Sequence, residues 1–343
     1  MKGRISFLIC MALLLGALRV AAQKEGFVVT GRVHMPDGYV AGLVCQTDSS
    51  FTHDLGSVPI KDGRFVLRGY LDHPQPATLM TNNLDLVGKN HWPNDSIRWT
   101  YTDIFLSNDT LRVSPDLHVD GTQVQRDFIA YQQTAMDSAA QWAFIDAHPH
   151  SVVSVWLANN LLKRGYRLSA EQVEHLSATI TSVPGDTVRM AELRHRLALA
   201  RLTTRGQKFI DLELKDTKGQ LTSLAAVMPK SKYVLVDFWA SWCGICLGYM
   251  PEIKKIVDDC KDKLSVVAVS IDTKEQAWKN SMAKHPEKWP QYVTTAKGYS
   301  DFFHKYQVGN GVPYFLLVGA DGHVLGSPDS PAEIRGLLKC CDR

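Results

Sequence analysis

The chain has 343 residues, 45% of them apolar and 21% charged, a balance that excludes an extensively disordered protein and allows about two domains. The formal net charge is only +3, and no Lys/Arg block or basic–aromatic stripe stands out. No footprint for nucleic acid is present, which leaves protein or small-molecule partners.

Lys2 and Arg4 precede an apolar run from Phe7 to Leu18, and Val20-Ala21-Ala22 stands before Gln23. This is the pattern of a secretory signal, with cleavage expected after Ala22. The alternative is an uncleaved anchor, for which the run is short against the ~20 residues a span needs. Cys10 lies inside the run behind Ile9, not behind a small residue, so it is not read as a lipidation site. The mature chain is therefore expected to be exported, to the periplasm or cell envelope, where disulfides form readily. Six cysteines would remain there: Cys45, Cys243, Cys246, Cys260, Cys340 and Cys341. Their crowding toward the C-terminus does not resemble the framework of a small disulfide-stapled domain.

Residues 23–120 read as a small all-β domain. Phe27–Val33 is a strand, Pro36-Asp37-Gly38 a turn, and Val40–Cys45 the return strand. Lys61-Asp62-Gly63 turns into alternating Phe65 and Leu67, and Ser107-Asn108-Asp109 is expected to join Ile104–Leu106 to Leu111–Val113 as a hairpin. From Gly121 the spacing becomes helical, and residues 121–205 read as a helical connector. One helix holds Phe128, Ile129 and Tyr131. A second is capped by Ser151 and stopped by Gly165. A third opens at Ser169 with Gln172 in capping-box spacing, and a fourth follows Pro184-Gly185. His148 and His150 flank Pro149 in a turn and read as exposed.

Residues 206–343 alternate strand and helix, which implies an α/β layer fold. Lys218-Gly219 is a turn. Tyr233–Trp239 is an apolar strand interrupted by Asp237, Cys243 to about Cys260 a helix, and Leu264–Ile271 a near-continuous apolar strand. Helices follow over Glu275–His285 and Ser300–Tyr306, then a hairpin around Asp321-Gly322, then a last helix from Pro331 to Lys339.

The chemistry is concentrated in Asp237-Phe238-Trp239-Ala240-Ser241-Trp242-Cys243-Gly244-Ile245-Cys246. Disulfide exchange needs an attacking thiolate and a second thiol near enough to resolve the mixed disulfide. A Cys-x-x-Cys at a helix start supplies both, because unpaired backbone N–H groups and the helix dipole favour the thiolate of Cys243. Cys246, one turn on, is the resolving thiol. The competing reading, half of a zinc site, needs two more ligands at similar spacing, and the adjacent Cys340-Cys341 cannot offer that geometry. Asp237 sits within an apolar strand. Burial there would raise its pKa and let it accept the proton of the resolving thiol.

From about Gly206 onward the chain resembles the thioredoxin superfamily, in particular the envelope thiol–disulfide oxidoreductases of the TlpA/ResA-like group. Asp237 stands where many members carry a buried acid. Pro251 matches the proline that kinks the first helix, and Val312-Pro313 before Tyr314–Val318 resembles the cis-proline loop. The resemblance implies that Val312 and Pro313, with Trp242, Gly244 and Ile245, hold an extended substrate chain, and that no bound cofactor is needed. Two departures stand out. Ala268 occupies the place where a lysine often faces the acid, which should leave Asp237 raised further. Ile245 replaces a common proline, so a redox potential cannot be carried over from the family. Lys61–Phe65 and Val119–Thr122 also look like Bacteroidetes-type envelope proteins with a β domain and a connector, which implies architecture and no activity.

The expected activity is thiol–disulfide exchange with cysteine-containing envelope proteins, in the reducing direction, supplied by a membrane electron donor. Two other classes compete. The β domain is a candidate envelope binding module with an accessory thioredoxin domain. A peroxiredoxin-type peroxidase would want a lone cysteine beside Thr and Arg, which this motif lacks. Cys45 and Cys260 read as core thiols and Cys340-Cys341 as thiols at a frayed helix end. Asn94 and Asn108 match glycosylation acceptors and carry no weight.

Overall fold

The computed structural model describes residues 26–46, 52–83, 100–260, 263–286, 289–309 and 311–338. The signal segment with Ala22 and Cys10, the Asn94 acceptor, Lys339 and Cys340-Cys341 lie outside them. N-terminal β sheets, a helical middle segment and a C-terminal mixed α/β sheet follow one another along the chain. Among the described residues no helix is long and apolar enough to cross a membrane.

The N-terminal part holds eight strands among the described residues: β1 (Phe27–Arg32), β2 (Tyr39–Gln46), β3 (Thr52–Pro59), β4 (Arg64–Gly69), β5 (Gln75–Asn83), β6 (Thr100–Leu106), β7 (Thr110–Val113) and β8 (Val119–Asp120). They form two four-stranded sheets, ordered β4-β1-β7-β8 and β3-β2-β5-β6. Val29, Leu67 and Leu111 from one sheet share a core with Leu43, Leu79 and Leu106 from the other. That shared core changes two expectations. β2 is not the return strand of β1, because it pairs with β3 and β5 in the opposite sheet. Ser107-Asn108-Asp109 closes no hairpin either: β6 pairs with β5, while β7 pairs with β1 and β8. Ile104 and Leu106 face the sandwich core, so the turn after them carries the chain across the sandwich.

Phe105 points the other way and belongs to the core of the middle segment. It meets Phe128 and Trp156 edge-on, at 5.4 and 5.9 Å between ring centroids. The helices there are α1 (Gln123–Gln132), α2 (Ser138–Ala147), α3 (Val152–Leu161), α4 (Ala170–Thr179) and α5 (Thr187–Ala200). Each starts on a polar cap: Thr122, Asp137, Ser151, Ser169 and Asp186 accept from backbone N–H groups of their first turns. Ser169 and Gln172 form the reciprocal capping box. Helix α2 went unread in the sequence: it buries Phe144 and Ile145 alone and carries only a faint periodic signal.

The C-terminal sheet has the order β10-β9-β13-β12-β11-β14-β15. Its strands are β9 (Glu213–Lys215), β10 (Leu221–Ser223), β11 (Tyr233–Trp239), β12 (Leu264–Ser270), β13 (Gln291–Thr294), β14 (Tyr314–Gly319) and β15 (Val324–Gly326). β11 is central, parallel to β12 and antiparallel to β14. All its residues are buried, as a strand covered on both faces requires. A short α6 (Leu224–Val227) follows β10. Helices α7 (Gly244–Cys260) and α10 (Pro331–Leu337) cover one face through Ile253, Ile256 and Ile334. Helices α8 (Glu275–Lys284) and α9 (Ala296–Lys305) cover the other through Trp278 and Phe302.

The connector is stitched to this sheet by the loop after α3. Gly165 N–H donates to the Tyr306 carbonyl at 2.9 Å, and Gly309 N–H donates to the Lys163 carbonyl at 2.9 Å. The Tyr314 hydroxyl donates to the Gly165 carbonyl at 2.8 Å. The Arg164 guanidinium lies 4.3 Å from the centre of the Tyr314 ring and donates to Ser327 Oγ and the Pro328 carbonyl, each at 2.8 Å. It also pairs with Asp329 at 2.9 Å.

A Cβ on Gly165 would stand 2.6 Å from the Tyr306 carbonyl oxygen, whereas one on exposed Gly248 of α7 would meet nothing within 4 Å. Urea unfolding should therefore give opposite signs for one chemical change. Gly165→Ala should lose about 1–3 kcal/mol by forcing the seam apart. Gly248→Ala should gain roughly 0.5–1 kcal/mol from helix propensity. Equal effects at the two positions would contradict the seam.

Candidate active site

Cys243 stands where β11 ends and α7 begins. Its carbonyl accepts the Leu247 N–H at 3.2 Å, and its Sγ accepts the Cys246 N–H at 3.2 Å. The sulfur thus takes the place that a serine or aspartate oxygen takes at an ordinary helix cap. A thiolate there would receive a backbone N–H and the positive end of a 17-residue helix. Cys243 and Cys246 are joined in a disulfide with their Cα atoms 5.3 Å apart. Cys243 retains 5% of its surface and Cys246 2%, while Trp242 is 67% and Ile245 56% exposed. Gly244 is exposed beside them, and Trp239 is core. The pair therefore sits at the bottom of an exposed rim, with Cys243 nearer the opening.

The Val312-Pro313 bond is cis. The Val312 carbonyl oxygen lies 3.6 Å from Cys243 Sγ. That sulfur has no proton while the disulfide is closed, and on reduction a thiol at this place can donate to the carbonyl. Pro251 interrupts α7 as the resemblance implied.

Asp237 is 2% exposed. Alternation along β11 places its side chain on the same face as Leu235, which packs under α7, the helix that carries Cys246. The cross-strand positions beside it are Ala268 and Phe315, neither of which brings a charge. Desolvation therefore acts uncompensated and raises the carboxyl to about 7. Cys45, buried in the N-terminal core, is likewise raised by desolvation, to about 11, which keeps it a thiol at neutral pH. Cys260 is also buried.

Asp272 was not singled out in the sequence. At the end of β12 its carboxylate accepts the Ser241 N–H at 2.8 Å, the Ser241 hydroxyl at 2.7 Å and the Ser270 hydroxyl at 2.6 Å. These bonds pin the loop that delivers Cys243 to the helix start. The available signal was an acid directly after a buried parallel strand, at the sheet edge where α/β folds place their sites.

Residues 231–324 match the family model described as thioredoxin-like. The C-terminal part of the chain holds a thioredoxin-like domain. It is similar to the thioredoxin-like protein YneN of Bacillus subtilis, with 40% identity over 78 residues, which are 23% of this chain and 45% of that protein. It is also similar to the thiol-disulfide oxidoreductase ResA of Bacillus cereus, with 31% identity over 115 residues, 33% of this chain and 57% of that protein. The chain spans about half the length of the curated relatives it matches. Among solved structures, the thioredoxin domain of a thiol-disulfide oxidoreductase from Bacteroides vulgatus aligns with a TM-score of 0.35 and 26% identity, over 39% of this chain and 98% of that one. The N-terminal sheets and the whole connector lie before the matched residues and take no assignment from the family model. Within the thioredoxin-like domain, the Cys243–Cys246 pair has the spacing of a Cys-x-x-Cys active site.

The raised Asp237 gives a pH prediction. An ordinary aspartate titrates near 3.8 and this one near 7, so the folded state holds an extra proton between those values. Stability should be full below about pH 4 and fall as pH rises to about 7, by on the order of 4 kcal/mol from a shift of about three units. Asp237→Asn should flatten this fall, leaving the variant the more stable protein at pH 8 and close to wild type at pH 4.5. Parallel unfolding curves for the two proteins across that range would contradict the assignment.

Proposed function

We propose that the protein is an exported thiol–disulfide oxidoreductase that reduces disulfides in cysteine-containing envelope proteins. The observation that carries the reading is the placement of Cys243, whose sulfur caps α7 at the bottom of an exposed rim and 3.6 Å from the Val312 carbonyl. Relatives that include a thiol-disulfide oxidoreductase support it. The secretory pattern ending at Ala22 supports export.

In the forward reaction the Cys243 thiolate attacks one sulfur of a substrate disulfide. A mixed disulfide forms and the first substrate thiolate leaves. Asp237 accepts the Cys246 proton, and the Cys246 thiolate attacks Cys243 Sγ. The mixed disulfide breaks, the second substrate thiolate leaves, and the Cys243–Cys246 disulfide forms. Two electrons pass from the protein to the substrate, and a dithiol donor at the membrane returns them. Val312 and Pro313 hold the substrate backbone, with Trp242, Gly244 and Ile245 forming the opposite lip.

What surrounds the pair supports the reducing direction. A strong oxidant owes its potential to a stabilised reduced form. Here Asp237, on the strand beneath α7, is a carboxyl, and the cross-strand position beside it is Ala268 in place of a cation. An acid disfavours a thiolate nearby, which works against the stabilisation that the helix end gives the Cys243 thiolate and favours a pair that gives up its electrons.

Trapping tests the order of events. Cys246→Ser should accumulate a mixed disulfide with a disulfide-bonded protein substrate, visible by mass under non-reducing conditions. Cys243→Ser should accumulate none. Equal trapping by both variants, or by neither, would contradict the roles assigned to the two sulfurs.

A further inference from the structure

The loop that carries Val312 and Pro313 runs from Tyr306, just past the end of α9, to Tyr314, the first residue of β14. It brings a carbonyl oxygen to 3.6 Å from Cys243 Sγ, so the surroundings of that sulfur depend on where the loop is held. Its own sequence gives it little stiffness. Gly309 and Gly311 stand just before Val312, and Gly311 has a φ of +74°. Glycine loses more conformational freedom on ordering than any other residue.

Three successive residues of the connector hold this loop. At its start the Gly165 N–H donates to the Tyr306 carbonyl at 2.9 Å, and farther along the Lys163 carbonyl accepts the Gly309 N–H at 2.9 Å. At its end the Tyr314 hydroxyl donates to the Gly165 carbonyl at 2.8 Å, and the Arg164 guanidinium lies 4.3 Å from the centre of the Tyr314 ring. Tyr314 is fully buried, its ring edge-on to Phe238 of β11 at 5.9 Å, and its hydroxyl also meets Ser327. One phenol therefore ties the connector to the strand that leads into the Cys243 loop. Tyr314 stands two residues after Val312, and the ring of Pro313 between them fixes one backbone torsion. A shift of Tyr314 is thus passed on to the Val312 carbonyl with little slack.

We propose that Tyr314 is a positioning residue of the exchange reaction, through which the connector holds the Val312 carbonyl against Cys243. The connector is then part of the active site in addition to its structural role. This rests on the oxidoreductase reading above. In the reduced protein a Cys243 thiol can donate to the Val312 carbonyl, whereas a thiolate would face the negative end of the carbonyl dipole. A hydrogen bond made by the neutral form keeps a group protonated, so releasing the loop should make the Cys243 thiol more acidic. The other titratable groups on the elements around this sulfur are Cys246 on α7, Asp237 on β11 and Asp272 after β12. None of the three takes part in the contacts between the connector and the loop described above.

Alkylation of Cys243 by iodoacetamide in the reduced full chain, measured against pH and read by mass on the peptide that carries it, tests this. Tyr314→Phe keeps the ring and removes the hydroxyl. It should speed alkylation about threefold on the acid side of the profile, a fall of roughly half a unit in the Cys243 pKa, which is the scale of one modest hydrogen bond. Arg164→Lys keeps the charge but loses the planar group over the Tyr314 ring, and should move the profile the same way. Thr122→Ala removes the cap of α1, outside these contacts, and should leave the profile in place, so that lost stability alone does not produce the shift. An unmoved or upward-shifted profile in Tyr314→Phe, or an equal shift in Thr122→Ala, would overturn the proposal while leaving the exchange chemistry intact. A wild type that fails to exchange with a small aromatic disulfide would instead remove the oxidoreductase reading, and this inference with it.

Discussion

One sulfur has to satisfy two demands at once. Cys243 must end the loop from a fully buried central strand, and it must cap a helix that starts at the next residue. The Cys246 N–H bond to Cys243 Sγ meets both, because it fills a vacancy in the helix's first turn while fixing the reactive atom at the surface. The neighbouring structure serves that placement. β11 cannot shift while β12 and β14 pair along its length. The loop cannot swing while Asp272 holds Ser241 by two bonds. The Val312 carbonyl completes the surround from a third element, the loop before β14. Reactivity at Cys243 is then a property of position, set by a helix end and by what a substrate can reach.

The buried carboxyl of Asp237 belongs to the same economy of position. An ionised acid inside a strand covered on both faces is unfavourable, and the fold supplies no cation at Ala268 or Phe315 to offset it. The result is a group that titrates near neutrality, where a proton acceptor for a thiol is useful. The same burial weakens the folded state at higher pH. Functional sites commonly carry such a local cost, supported by packing elsewhere.

Much of this was legible in the sequence, and the reasons are local. An apolar strand, a Cys-x-x-Cys and a helical run within one short stretch specify the site. Ser151 and the Ser169–Gln172 pair announce helix starts through capping chemistry that needs no distant partner. Strand pairing was not legible in the same way. The run Ile104-Phe105-Leu106 is apolar throughout because its two faces serve different cores, the sandwich and the connector. Nothing in three residues reveals that, so the turn at Ser107–Asp109 read as a hairpin. β5 was hidden by Pro74 and Pro76 at its start, and Asp272 by its lack of any motif. The seam was the least legible feature, since Arg164 and Tyr314 are 150 residues apart in the chain. Long-range contacts between unlike elements leave no periodic trace.

The central claim is that Cys243 and Cys246 form a two-electron couple poised to donate electrons. Equilibrium redox titration of the full mature chain, read by thiol labelling of these two residues and by tryptophan fluorescence, tests it most directly. The account predicts one reversible two-electron transition near the thioredoxin value of about −270 mV. A midpoint near about −120 mV would contradict the reducing direction, and the absence of any Cys243–Cys246 disulfide across the range would contradict the site itself.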